Sequence, residues 1–277
     1  MALEKNVSDI PFPYEVLPLC SVYVRTENLH WYHRIGLIFS RKNTGYYFIL
    51  YAYFKWIDNQ IDKKDSDLSR LKDFLERQKK IIFQGKDPEA EEEILGREAY
   101  RLISVQENNF LKNAVEKVFS SFSLDLIRKE KKFLKKDDLD RRIELIGSAA
   151  LELTEFCFGK PGCINESLKR KMAWLYIQTD MLLDFDEDIE SGYINISLEE
   201  IEEFGIQDED LNGERPGPLH SKQFKDWMNR KCRCQLKTAE EVFEDMKYLK
   251  YSFLYFFLRK MYQQRLRKIN RASALYQ

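Results

Sequence analysis

Two short acidic runs hold the residues best suited to chemistry. The first is Asp58-Asn-Gln-Ile-Asp62; the second is Asp180-Met-Leu-Leu-Asp184-Phe-Asp-Glu-Asp188. In each, aspartates recur every four residues, so a helix stacks them on one face. Like charges at that spacing destabilise a helix by about 0.2–0.5 kcal/mol per pair. The second run has no local counter-charge: between Lys171 and Arg215 there is no lysine or arginine, while 14 residues are Asp or Glu. Such a run makes sense when positive charge arrives from elsewhere, and carboxylate oxygens are the ligands Mg²⁺ prefers. The opposing reading is a solvated acidic face near a helix end.

The neighbours sharpen the argument. Tyr51, Lys55, Asp58 and Asp62 fall at i, i+4, i+7 and i+11, one helix face, amid Phe48, Ile49, Leu50, Phe54, Trp56 and Ile57. An unpaired carboxylate in such a stretch is costly. Lys55 can neutralise one aspartate, not both. Two carboxylate helices facing each other at the mouth of a bundle would clamp several Mg²⁺ ions. Because Mg²⁺ shares its coordination with water and phosphate oxygens, the implied ligand is a diphosphate, stabilised as a leaving group. An apolar interior would hold an isoprenoid chain attached to it. Aromatic faces would shelter the allylic cation left by C–O ionisation.

The elements that must position these residues read as helices. The chain has 277 residues, is 44% hydrophobic and 14% aromatic, and carries only 11 Gly and 7 Pro, which favours helices over a turn-rich β fold. After an irregular lead-in over 1–13, helical pattern runs over 14–39, 43–62 and 68–84. Pro88 suits the first turn of the next helix. Further helices are expected over 108–136, 139–159 and 165–190. A short turn follows at Ser197, a loop at 204–221, and two closing helices at 221–246 and 248–270. No strand pattern, repeat or interdomain linker stands out, so residues 1–277 are expected to form one all-α domain. In helix 139–159 the run Gly147-Ser-Ala-Ala150 allows close helix packing.

Charge and cysteine usage narrow the partners. Lys+Arg is 45 and Asp+Glu is 46, a net charge of −1, which gives no global pull toward nucleic acid. The five cysteines fit a reducing cytosol, and Cys232-Arg-Cys234 lacks the second pair that a zinc site needs. No run of about 18 apolar residues is free of charges, so no span is expected. The apolar segment 248–262 reads as a buried helix, with a shallow peripheral membrane contact as the alternative. His30 and His33 read as packed or surface histidines, with contact of His30 to a diphosphate as the other option. Arg41 and Lys42 suit solvent or phosphate equally. Oligomeric state is not legible.

Taken together, the motifs resemble the squalene/phytoene synthase family, the head-to-head trans-prenyltransferases. That family's first motif, Tyr-x-x-x-Arg-x-x-Asp-Asp-x-x-Asp, corresponds to Tyr51-Ala-Tyr-Phe-Lys55-Trp-Ile-Asp58-Asn59-Gln-Ile-Asp62. Its second, Asn-x-x-Arg-Asp-x-x-Glu-Asp followed by Gly-Arg-x-Tyr-x-Pro, corresponds to Asp180 through Asp188 and then Gly192-Tyr193-Ile-Asn195-Ile-Ser197. Leu198 to Gly205 is similar to a short helix ending in Phe-Gly, and Tyr262-Gln-Gln-Arg-Leu266 to a C-terminal Tyr-x-x-x-Leu. The likeness spans about residues 28 to 270.

The resemblance implies an isoprenoid-synthase-type bundle with a central apolar cavity. Asp58, Asp62, Asp184 and Asp188 would be the metal ligands for Mg²⁺. Tyr51, Lys55 and Asp180 would meet diphosphate, and Tyr32, Phe48 and Tyr262 would line the pocket. The departures matter too. Lys55 replaces an arginine and loses its bidentate fork. Leu183 and Tyr193 each replace an arginine, Asn195 a tyrosine and Ser197 a proline. The implied activity is ionisation of farnesyl or geranylgeranyl diphosphate, followed by head-to-head condensation to a squalene- or phytoene-type terpenoid. The alternatives are single-substrate terpene chemistry and a non-catalytic relative that binds an isoprenoid or serves in assembly.

Overall fold

The computed structural model describes residues 12–26, 41–63, 67–105, 109–158, 161–190, 192–212, 220–248, 258–260, 262–264 and 266–270. Among these there is no strand. A 3-10 turn at Tyr14–Val16 leads into α1 (Leu17–Thr26), α2 (Arg41–Ile61), α3 (Leu68–Gln84), α4 (Glu93–Val105), α5 (Asn109–Lys131), α6 (Lys136–Cys157), α7 (Glu166–Leu183), α8 (Phe185–Glu190), α9 (Leu198–Phe204), α10 (Asp208–Leu211) and α11 (Lys222–Met246). Residues 258–260, 262–264 and 266–270 are also helical. By its contacts the chain divides into two compact units, Met1–Ser123 with Ala149–Gly162, and Leu124–Ser148 with Cys163–Gln277.

In the first unit α2 is the central element, packed against α1, α3 and α4. Its apolar run drives this: Ile49, Leu50, Ala52, Tyr53 and Ile57 are fully buried. Phe54 meets Phe119 edge-on at 6.3 Å, and Trp56 meets Phe74 at 5.3 Å, geometries that aromatic quadrupoles favour. Helix α3 is capped at its start by Asp67, whose carboxylate accepts from Ser69 N–H at 2.8 Å. It stops at Gly85, whose φ of 71° is the left-handed conformation glycine adopts without strain. Pro88 does not open the next helix as expected. The Glu93 carboxylate accepts from the N–H groups of Glu89 at 2.7 Å and Ala90 at 3.3 Å, and the turn this closes delays α4 to Glu93.

In the second unit α11 packs on α7 and α9 on α11. Leu182, Phe185, Ile189, Ile196, Phe224, Trp227 and Met228 form the centre of its apolar cluster. The small-residue segment of α6 serves close packing here. A Cβ at Gly147 would lie 2.6 Å from the Ala173 Cβ and 2.8 Å from the Ala173 Cα on α7. Gly147→Val should therefore destabilise the protein by about 1–3 kcal/mol through overpacking. A urea midpoint equal to wild type would contradict this.

Two further elements differ from expectation. The helix expected over 165–190 is broken at Asp184, where φ is −102° and ψ is 14°. The break turns Phe185 and Ile189 into the apolar cluster, burial that a straight helix carrying the 180/184/188 stripe gives no reason to expect. The loop expected over 204–221 contains the helical turn α10, with Asp208, Glu209 and Asp210 at its positive N-terminal end. Among the described residues no helix is long and apolar enough to cross a membrane. Of the apolar segment 248–262, Tyr248 is exposed while Leu258 and Tyr262 are buried; 249–257 and 261 lie outside the described residues.

Candidate functional site

The first acidic run sits at the C-terminal end of α2. Lys55 Nζ donates to Asp58 Oδ2 at 3.1 Å, with the two side chains 29% and 34% exposed. The ion pair inferred from their spacing is therefore present, at the rim of the apolar stretch rather than inside it. Asp62 lies one residue past the helix, and its N–H still donates to the Asp58 carbonyl at 2.9 Å. That bond keeps both aspartates in helical register. Tyr51 is half-buried and stacks on Tyr47 at 6.4 Å; Phe48 is buried and meets Tyr47 edge-on at 5.6 Å. Tyr32, His30 and His33 lie outside the described residues, as do the side chains of Arg41 and Lys42.

The second run keeps its register through the break. Asp184 N–H donates to the Asp180 carbonyl at 2.9 Å, and Asp188 N–H to the Asp184 carbonyl at 2.8 Å. Asp180, Asp184 and Asp188 thus stay four residues apart on a hydrogen-bonded spiral, although α7 ends between them. Asp184 is exposed; Asp180 and Asp188 are half-buried.

The counter-charge missing from the local sequence comes from other helices. Arg128 on α5, 4% exposed at its side chain, donates from Nη1 to Asn195 Oδ1 at 2.5 Å and from Nη2 to Asp125 Oδ1 at 2.7 Å. Arg142 Nε also reaches Asp125 Oδ1, at 2.5 Å. Asn195 Nδ2 in turn donates to Asp188 Oδ2. Burial pushes the pKa of Arg128 down, as does Arg142 beside it, while Asp125, Tyr193 and Asp188 oppose that shift. The guanidinium carbon lies 4.2 Å over the ring of Tyr193, a cation–π contact.

A second network braces α8. His220 is buried, with Nε2 3.0 Å from Asp186 Oδ1 and Nδ1 3.4 Å from Asp210 Oδ1, and it stacks on Phe224 at 3.9 Å. Burial would raise the Asp210 carboxyl, but the hydroxyl and N–H of Ser221, with His220, outweigh it and hold it below the usual carboxylate range. Lys231 pairs with Glu200, and Arg230 with Glu203 at 2.6 Å. The sequence alone does not mark Arg128, Asp125, Arg142, Asn195 or His220 as site residues. The one usable signal is the i, i+3 pair Asp125–Arg128, which brackets the apolar Leu126 and Ile127.

The donor set decides how a metal can bind. Among the described residues no three or more His, Cys, Asp or Glu side chains gather closely enough to hold an ion by themselves. Each run instead offers carboxylates in register at i, i+4. Mg²⁺ is commonly held by one or two carboxylates and completed by water and substrate phosphate. The residues fit that mode, not an all-protein cage. Tyr262 is fully buried, and its hydroxyl donates to the Met172 carbonyl at 3.0 Å, so this group is committed to the backbone of α7.

The fold is similar to that of the squalene synthase HpnC from Alicyclobacillus acidocaldarius, known from a crystal structure. The TM-score is 0.60 over 98% of this chain and 95% of that one, at 14% sequence identity. At that identity the likeness concerns the fold: this chain has an all-α, isoprenoid-synthase-type fold. No protein-family model and no curated protein matches the sequence.

Proposed function

We propose that this protein is a Mg²⁺-dependent enzyme that ionises allylic prenyl diphosphates, with head-to-head condensation to a squalene- or phytoene-type terpenoid as its overall reaction. The observation that carries the reading is the register of Asp180, Asp184 and Asp188, held through the break at α7–α8 in a chain of this fold. Asp184 and Asp188 are the carboxylates assigned to metal in the second unit, and Asp58 and Asp62 in the first. Bound Mg²⁺ would neutralise the diphosphate and stabilise it as a leaving group. Lys55, pivoting from Asp58, supplies a cation that can meet phosphate as a point charge. Tyr51 offers a half-buried phenol on the same face.

A second reading, a non-catalytic isoprenoid-binding relative, is favoured by two positions. Leu183 packs against the apolar cluster and Tyr193 is buried beneath Arg128. Neither supplies the cation that the resembling motif carries there.

The test is incubation of purified protein with Mg²⁺ and, separately, geranyl, farnesyl and geranylgeranyl diphosphate. Pyrophosphate release is measured and the organic phase analysed by mass spectrometry. A C30 or C40 product is the expected result. A product no longer than its substrate would turn the assignment to single-substrate terpene chemistry. No release from folded protein supports the non-catalytic reading. As a parallel expectation, Mg²⁺ with pyrophosphate together should raise Tm, because a ligand pair binding only the native state stabilises it. No shift at concentrations of about a millimolar counts against the enzyme, since a site with Kd near 10 µM gives about 2.7 kcal/mol at a hundredfold excess.

A further inference from the structure

We propose that Asn195 and Arg128 are positioning residues for Asp188, setting the orientation in which its carboxylate meets metal; this rests on the functional reading above. Arg128 can only donate hydrogen bonds and an ionised carboxylate can only accept them. A side chain placed between the two must accept from one and donate to the other. Asn195 does so, accepting from Arg128 Nη1 at 2.5 Å and donating from Nδ2 to Asp188 Oδ2. The partners leave one orientation of its amide. Asn195 is 7% exposed and the Arg128 side chain 4%, so water competes weakly for these bonds.

The charges agree with this role. Arg128 and Arg142 both reach one carboxylate, Asp125, and Asp188 is a second negative charge acting on Arg128. The amide of Asn195 links the buried Arg128 guanidinium to Asp188 through two hydrogen bonds. A direct bidentate pair would occupy the oxygens needed for metal; a bond from a neutral amide to one oxygen fixes the carboxylate plane instead. Tyr193 closes the arrangement with its ring under the guanidinium. Groups that orient metal ligands in this way are commonly worth about 10–100-fold in metal affinity.

The experiment uses Mn²⁺ as a paramagnetic probe, titrated by electron paramagnetic resonance into the full-length protein with pyrophosphate present. Asn195→Leu removes both bonds while keeping the number and branching of side-chain heavy atoms, and should weaken Mn²⁺ binding about tenfold or more. This variant leaves Arg128 short of an acceptor in the interior, and can fail to fold for that reason. The double variant Arg128→Met/Asn195→Leu removes the charge and the relay together, while Asp125 keeps Arg142. It should retain the wild-type circular dichroism spectrum and a cooperative melt, with Mn²⁺ affinity reduced by the same factor. If wild type binds Mn²⁺ and the folded double variant binds within twofold of it, the positioning role is wrong and the functional reading survives. Absence of binding by wild type overturns both.

Discussion

Asp184→Ala should lower pyrophosphate release from a prenyl diphosphate by about three orders of magnitude, a loss of ~4 kcal/mol in transition-state stabilisation. The same substitution should leave the metal-free protein as stable as wild type, or slightly more so. Asp184 is exposed, and the contribution of its backbone, closing α7 and receiving the Asp188 N–H at 2.8 Å, is independent of the side chain. Its carboxylate lies four residues from Asp180 and from Asp188, where like charges cost about 0.2–0.5 kcal/mol per pair. Removing it relieves that repulsion. Activity and stability moving in opposite directions is the mark of a group retained for function rather than for folding. Asp184→Asn should behave similarly, since it keeps the shape and loses the charge a hard cation requires. Release within tenfold of wild type in both variants would remove Asp184 from the site.

The legibility of this fold and site followed the range of the interactions involved. The acidic runs were visible because their regularity is local, and backbone bonds from Asp62, Asp184 and Asp188 to the residues four before them preserve it. The pairing of Lys55 with Asp58 was visible for the same reason, one helical turn apart. The break at Asp184 was hidden because the i, i+4 pattern runs straight through it. What breaks the helix is burial of Phe185 against Phe224, at 4.9 Å, and Trp227, at 5.7 Å, on a helix some forty residues later. Asn195 read as the loss of a tyrosine. Its role as a relay depends on Arg128, 67 residues earlier. The aromatic type of Tyr262 carries no record of where its hydroxyl goes, here the Met172 carbonyl. Helix ends followed local chemistry where a single residue decides, as at Gly85. They moved where a carboxylate reached back, as Glu93 does to Glu89.

That Glu93 carboxylate carries the largest expected effect on stability. It is 3% exposed and holds Arg77 through both oxygens, from Nε at 2.8 Å and from Nη2 at 2.6 Å. Gln78 Nε2 donates to it at 2.8 Å, and Tyr53 of α2 donates to Gln78 Oε1 at 2.9 Å. Tyr53 also meets α4 closely, since a Cβ at Gly96 would lie 2.5 Å from its ring. The network thus ties the helix bearing Asp58 to α3 and α4. Burial alone would push the Glu93 pKa up, but Arg77, the N–H groups of Glu89 and Ala90, and Gln78 outweigh it and bring it to about 2 from 4.5. A carboxylate depressed on folding contributes stability that is fully present above the unfolded value and is lost as pH falls through the folded one. At about 1.4 kcal/mol per pH unit the contribution is about 3 kcal/mol at neutral pH, within the range for breaking a buried bidentate pair. Glu93→Gln should therefore cost about 3 kcal/mol by urea denaturation at pH 7. At pH 3 the unfolded glutamate is protonated while the folded one is still charged, so the gap should shrink to about 1 kcal/mol. A gap that stays constant between pH 7 and pH 3 would show that the loss comes from packing around Gln78 and Tyr53, not from the charge of Glu93.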